Sequence, residues 1–155
     1  MVNWAVFEAE APDLAARVRA RFEAHKHLLI ATLRRDAAPR LSGIEVTIAL
    51  GELWLGMMPG SMKGRDLLRD PRFALHSAPL DLELFEGDAK VSGRALEVTD
   101  PAVLADYWGA LGRPVMPAAV FRADLLDATL TTVEGDELVI DAWRAGEPPK
   151  RTRRK

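Results

Sequence analysis

No cysteine occurs among the 155 residues. Disulfides, thiolate nucleophiles and cysteine-held zinc or iron–sulfur sites are therefore excluded together. Long apolar runs are missing as well, since no stretch approaches the roughly 18 residues that a membrane span requires. Met1 to Glu10 carries Glu8 and Glu10 and lacks the basic start and apolar middle of a signal peptide. The expectation is a cytoplasmic chain without membrane contact. Histidine is scarce: His25, His27 and His76 show no metal-ligand spacing with carboxylates. His25 and His27 close a helix, where a positive imidazole suits the macrodipole. No metal site is expected. Neither G-x-S-x-G nor H-E-x-x-H is present, and no G-x-G-x-x-G follows a strand, which sets aside the common hydrolase, zinc-protease and dinucleotide motifs.

A general basic excess is also lacking. The net charge is −2, but five of the 21 basic side chains lie in the last six residues, Lys150 to Lys155, so residues 1–149 carry −7. A nucleic-acid binder would spread basic residues over a folded face, and this chain is expected to bind none. The basic end reads as a flexible tail; its sharper reading is a segment that folds over an anionic ligand or a second subunit.

What remains is an ordinary globular composition, 48% hydrophobic and 28% charged, at a length that suits one domain over residues 1–149. Leu14, Val18 and Phe22 recur at helical spacing within Pro12 to Lys26. The period then changes to that of strands, at Leu28–Leu33, at Arg40–Leu50 and at Leu53–Met58. Tight turns join the three, so they form an antiparallel meander. A short helix runs from Ser61 to Arg69 and ends before Asp70-Pro71. Strands follow at Phe73–His76 and Ala89–Val98, then a helix from Pro101 to Leu111. A hairpin with arms near Phe121–Val133 and Leu138–Trp143 completes the pattern. The class is β-dominated α+β: six or seven antiparallel strands in a partly closed barrel, with three flanking helices.

One constellation carries chemistry. Ser61 and Lys63 open a helix directly after a strand and a Pro-Gly break, where unpaired N–H groups favour an anion. Arg40 and Ser42, at the start of an earlier strand, are placed to reach the same anion. Ser61 is equally an ordinary N-cap, and Arg40 and Lys63 are equally ordinary surface charges. Tyr107, Trp108 and Arg113, on or after the third helix, either line a substrate or pack that helix down.

These residues occur in an ordered series. Arg40-Leu41-Ser42 precedes Ser61-Met62-Lys63, then come Leu67, Asp70-Pro71-Arg72-Phe73 and Gly87-Asp88-Ala89-Lys90-Val91-Ser92-Gly93. The series resembles the pyridoxamine-5′-phosphate-oxidase-like FMN-binding split-barrel family from about Leu28 to Val98, and more loosely to Trp143. It is most similar to actinobacterial-type members, some of which use the deazaflavin F420 in place of FMN. The resemblance implies a flavin-dependent oxidoreductase acting on a small molecule, with FMN held between the subunits of a homodimer. Residue by residue, it assigns Arg40, Ser61 and Lys63 to the cofactor phosphate, and Ser42, Met57 and Met58 to the ring. Trp143 and Arg144 are the candidates to reach a partner's cofactor, and no catalytic side chain is named. Two positions depart from the pattern: Met62 stands where a second basic residue is usual, and Glu45 where the oxidase has a lysine. The vitamin B6 oxidase reaction is therefore not expected. The alternatives are an F420-dependent reductase, with Arg65, Arg69 and the basic end near the cofactor's anionic tail, or a non-catalytic flavin or haem module with His76 as axial ligand.

Overall fold

A computed structural model of the chain describes residues 1–79 and 83–155. Two helices come first, α1 (Trp4–Glu10) and α2 (Pro12–Glu23). The strands β1 (Leu28–Leu33), β2 (Pro39–Ala49) and β3 (Glu52–Met57) follow, then helix α3 (Met62–Arg69) and strands β4 (Arg72–His76) and β5 (Asp88–Glu97). Helix α4 (Pro101–Ala110) leads into β6 (Ala119–Glu134), β7 (Glu137–Arg144) and β8 (Glu147–Arg154).

All pairings are antiparallel. The meander β1–β2–β3 forms with Ile30 opposite Ser42 and Val46 opposite Leu55. Strand β4 pairs with the free edge of β1, β5 with β4, and β6 with β5. The long β6 also reaches β3, where Leu55 faces Phe121, and this contact closes a six-stranded barrel. Strands β7 and β8 extend the sheet beyond β6. Side-chain alternation fills the barrel: Leu53, Leu55 and Met57 of β3 point inward with Ile30, Leu75 and Val91. The intervening Trp54 points outward and joins Val98, Tyr107, Trp108 and Val120 in a second cluster beneath α4.

The expected class and barrel are present, with two additions. Helix α1 escaped the sequence because its seven residues carry only two buried anchors, Trp4 and Phe7, with Asn3 accepting a cap bond from the Val6 N–H. The basic end, expected to be a flexible tail from residue 150, is instead most of β8. It reads as a tail because it contains no apolar alternation. Its order comes from backbone pairing with β7 and from acids that meet its cations, Arg151 with Asp141 and Arg153 with Glu134 and Glu137. Among the described residues no helix is long and apolar enough to cross a membrane.

Candidate functional site

The site is built around the start of α3. Strand β3 ends at Met57, and Gly60, at φ +70°, lets the chain turn sharply into the helix. The Ser61 N–H donates to the Met58 carbonyl at 3.2 Å, and Ser61 Oγ accepts from the Gly64 N–H at 3.2 Å. Ser61 is thus the N-cap, with Lys63 in the first turn.

Two openings flank this helix start. On one side is a cleft of about 760 Å³ bordered by Met57, Met58, Lys63, Glu45, Tyr107 and Arg113. Its wall is shaped by a close approach: a Cβ on Gly56 would lie 2.6 Å from the Tyr107 hydroxyl, so only glycine lets Tyr107 settle against β3. The Tyr107 ring lies 5.2 Å from Trp54 and 5.1 Å from Trp108, which seats α4. Burial pushes the Tyr107 phenol above its ordinary pKa, against the pull of the Arg113 charge and a hydrogen bond with Thr47. It stands in the cleft wall as a neutral hydroxyl. Glu45 is held by Lys26 and by His27 Nε2, each at 3.4 Å.

On the other side is a groove of about 1010 Å³ bordered by Arg34, Arg35, Arg40, Arg65, Arg69 and Asp66. The Asp66 side chain is 2% exposed and organises the floor. It accepts from Thr32 Oγ1 at 2.9 Å, Arg40 Nε at 2.7 Å and Arg69 Nη2 at 3.0 Å. Burial alone would raise the Asp66 carboxyl, but the hydrogen bonds from Arg40, Arg69 and Thr32 outweigh it and hold the group below the usual carboxylate range. Because Arg40 binds Asp66 through Nε, its terminal amines remain available to a ligand. Among the described residues the side chains of Arg34, Arg35 and Arg65 make no ion pair or hydrogen bond.

The sequence-derived candidates divide accordingly. Met57, Met58 and Lys63 border the cleft, whereas Arg40 borders the arginine groove across α3. Ser42 lies on β2 two residues from Arg40, half-buried opposite Ile30. Trp143 is 1% exposed, donates Nε1–H to Glu10 Oε2 at 2.8 Å and lies 4.6 Å from the Phe7 ring, leaving no face for a ligand. Arg144 is exposed, 3.8 Å from Glu147, and like Trp143 borders neither opening. His76 sits elsewhere, with Nδ1 2.6 Å from the Ser77 carbonyl oxygen and Nε2 3.9 Å from Asp88. The sequence reading passed over Asp66, Thr32, Arg34 and Arg35. The available signal was one carboxylate, Asp66, set between Arg65 and Arg69 on a short helix. Among the described residues no group of three or more potential ligands gathers for a metal.

A family model for pyridoxamine 5′-phosphate oxidase matches residues 14–135. No curated protein matches the sequence. Among solved structures, the chain is similar to a pyridoxamine 5′-phosphate oxidase-related, FMN-binding protein from Nostoc punctiforme, with 12% identity, 94% of this chain and 96% of that one covered, and a TM-score of 0.64. A haem-binding protein from Mycobacterium smegmatis aligns with 18% identity and a TM-score of 0.62 over 83% of this chain, which spans only 56% of that longer protein. PhzG from Burkholderia lata, solved with tetrahydrophenazine-1-carboxylic acid, aligns with 16% identity, 96% and 91% coverage and a TM-score of 0.61. At these identities the likenesses establish a shared fold.

Proposed function

The chain belongs to the pyridoxamine 5′-phosphate oxidase family, and from that premise we propose that it binds FMN at the start of α3 and serves as an oxidoreductase for a small molecule. The observation that carries this reading is the buried Asp66, which holds Arg40 against α3 through Nε and so leaves the Arg40 terminal amines as donors for a phosphate near the start of that helix. The phosphate sits over the helix N–H groups, with Arg40 reaching it from the groove side of α3 and Lys63 from the cleft side. Ser42, Met57 and Met58 border the ring, and the donor set suits a phosphorylated flavin. Once bound, the flavin supplies the hydride chemistry. The chain's own residues then orient it and shape the substrate side. Tyr107 closes one wall as a neutral hydrogen-bond donor, and Arg113 offers a cation to an acidic substrate group.

A homodimer belongs to the same proposal. Leu41, 73% exposed, and Leu29 stand on the outer sheet face beside an apolar groove of about 540 Å³ that includes Ala31 and Ala74. A second copy seated there buries them. Sedimentation of the wild type is expected to give a dimer and that of Leu41→Asp a monomer; a wild-type monomer rejects the assembly.

F420 is the second reading, favoured by the unpaired Arg34, Arg35 and Arg65, which offer more positive charge than one phosphate needs. Purified protein titrated with FMN and with F420, read by fluorescence, separates the two. With the cofactor that binds, replacing Arg40 and Lys63 together by alanine is expected to weaken affinity about a hundredfold or more, at roughly tenfold for each charged hydrogen bond lost. Unchanged affinity in that variant refutes the phosphate assignment. Retention of haem with a Soret band, and of neither flavin, replaces the oxidoreductase by a binding module.

A further inference from the structure

The four internal methionines all border the two openings beside α3: Met57, Met58 and Met116 the cleft, and Met62 the arginine groove. With no cysteine present, these thioethers and Met1 are the only sulfur atoms open to oxidation. Met57 is 8% exposed, with its sulfur packed against Gly64 of α3, whereas Met58 at 78% and Met116 at 45% are open on the cleft side, away from the arginine groove. Met62 is 53% exposed, the first residue of α3, between the N-cap Ser61 and Lys63.

We propose that Met62 is a peroxide-responsive modification site whose sulfoxide takes the free guanidinium donors of the arginine groove away from a phosphate ligand. The proposal rests on the reading of the α3 start as a phosphate site. In the step itself, the sulfur lone pair attacks one oxygen of hydrogen peroxide. The O–O bond breaks as the S–O bond forms. Sulfur loses two electrons, and the peroxide's second oxygen leaves as water with both protons. The product is polar where the thioether was apolar, with an oxygen that is a strong hydrogen-bond acceptor. Arg65 borders the groove with Met62 and has no partner among the described residues, and Arg40 has terminal amines to spare. These are the donors that an incoming phosphate requires, and the sulfoxide oxygen competes for them. Methionine occupies the position where the related pattern has a second base. The same side chain therefore both lowers the site's charge and makes it sensitive to oxidation.

The test uses the full chain, treated with dilute hydrogen peroxide and compared with untreated protein. Peptide mass mapping is expected to show that Met62 gains one oxygen well before Met57. Calorimetric titration with inorganic pyrophosphate is expected to show affinity falling about tenfold, the loss of one charged hydrogen bond. Methionine sulfoxide reductases should restore it. Met62→Gln, with a polar acceptor in place, should reproduce the oxidised affinity without peroxide. Met62→Leu, whatever its starting affinity, should lose the response. The proposal is overturned if pyrophosphate does not bind the reduced protein, if Met62 reacts no faster than Met57, or if affinity is unchanged with Met62 fully oxidised. An FMN titration of untreated protein reports separately on the flavin reading: its failure with pyrophosphate binding intact removes the flavin and leaves the Met62 response standing.

Discussion

Two regions of this molecule are rich in arginine, and they differ in how much of that charge is paired within the fold. In β8 nearly every cation meets an acid. Arg151 grips Asp141 through Nε and Nη2 at 2.6 and 2.9 Å, Arg153 reaches Glu134 and Glu137, and Lys150 lies 3.5 Å from Glu147. Around α3 five arginines share one groove with Asp36 and Asp66, and three of them are unpaired among the described residues. Like charges held together without counterions repel, and an anionic ligand relieves that repulsion. Local abundance of positive charge is therefore a poor guide to binding. The informative quantity is the charge left after internal pairing.

The largest expected effect comes from removing the scaffold of the unmatched region. Asp66→Asn strips a buried charge from Arg40, Arg69 and Thr32 together, and about 3 kcal/mol of stability should be lost in urea unfolding. FMN affinity should fall with it, because Arg40 is then free to leave the groove. An Asp66→Asn protein with wild-type stability would mean that the network has no structural weight. The same carboxylate sets a pH dependence. Its folded pKa is depressed, so the contribution is fully present above the ordinary aspartate range and is lost as pH falls through the folded value. The stability difference between wild type and Asp66→Asn should accordingly stay constant from neutral pH down to that range and shrink only below it.

How much of this could be read from residues alone follows the same division. The barrel was legible because alternation at Ile44, Val46 and Ile48, and again at Leu53 and Leu55, is a local signal that tertiary packing reinforces. The helix start at Ser61 was legible from its break and cap. Closure by β3 and β6 was not, since pairing Leu55 with Phe121 joins residues far apart in sequence and leaves no local trace. Nor was the separation of Arg40 from Lys63 by α3, because that depends on which face of the helix meets β1. Trp143 misled for a related reason: an aromatic at a strand end looks the same whether it awaits a ligand or, as here, packs on Phe7 and Glu10. The strand β8 was hidden because its order depends on acids in β6 and β7 and at the tip between them.

The smallest effect should come from the matched region. Arg153→Ala removes contacts to Glu134 at 2.7 Å and Glu137 at 3.1 Å, yet all three side chains are at least 30% exposed. Exposed ion pairs gain little over water and lose side-chain entropy, so the urea unfolding midpoint should hardly move. Cofactor affinity should not change, because β8 borders neither the cleft nor the groove. Hydrogen exchange in β8 should rise locally as its end frays from β7, without a shift in the barrel strands. A loss of cofactor affinity in Arg153→Ala would contradict this division between the two arginine-rich regions. It would mean that β8 reaches a ligand across the interface of a dimer, and that its internal ion pairs are exchanged for that ligand when the second copy arrives.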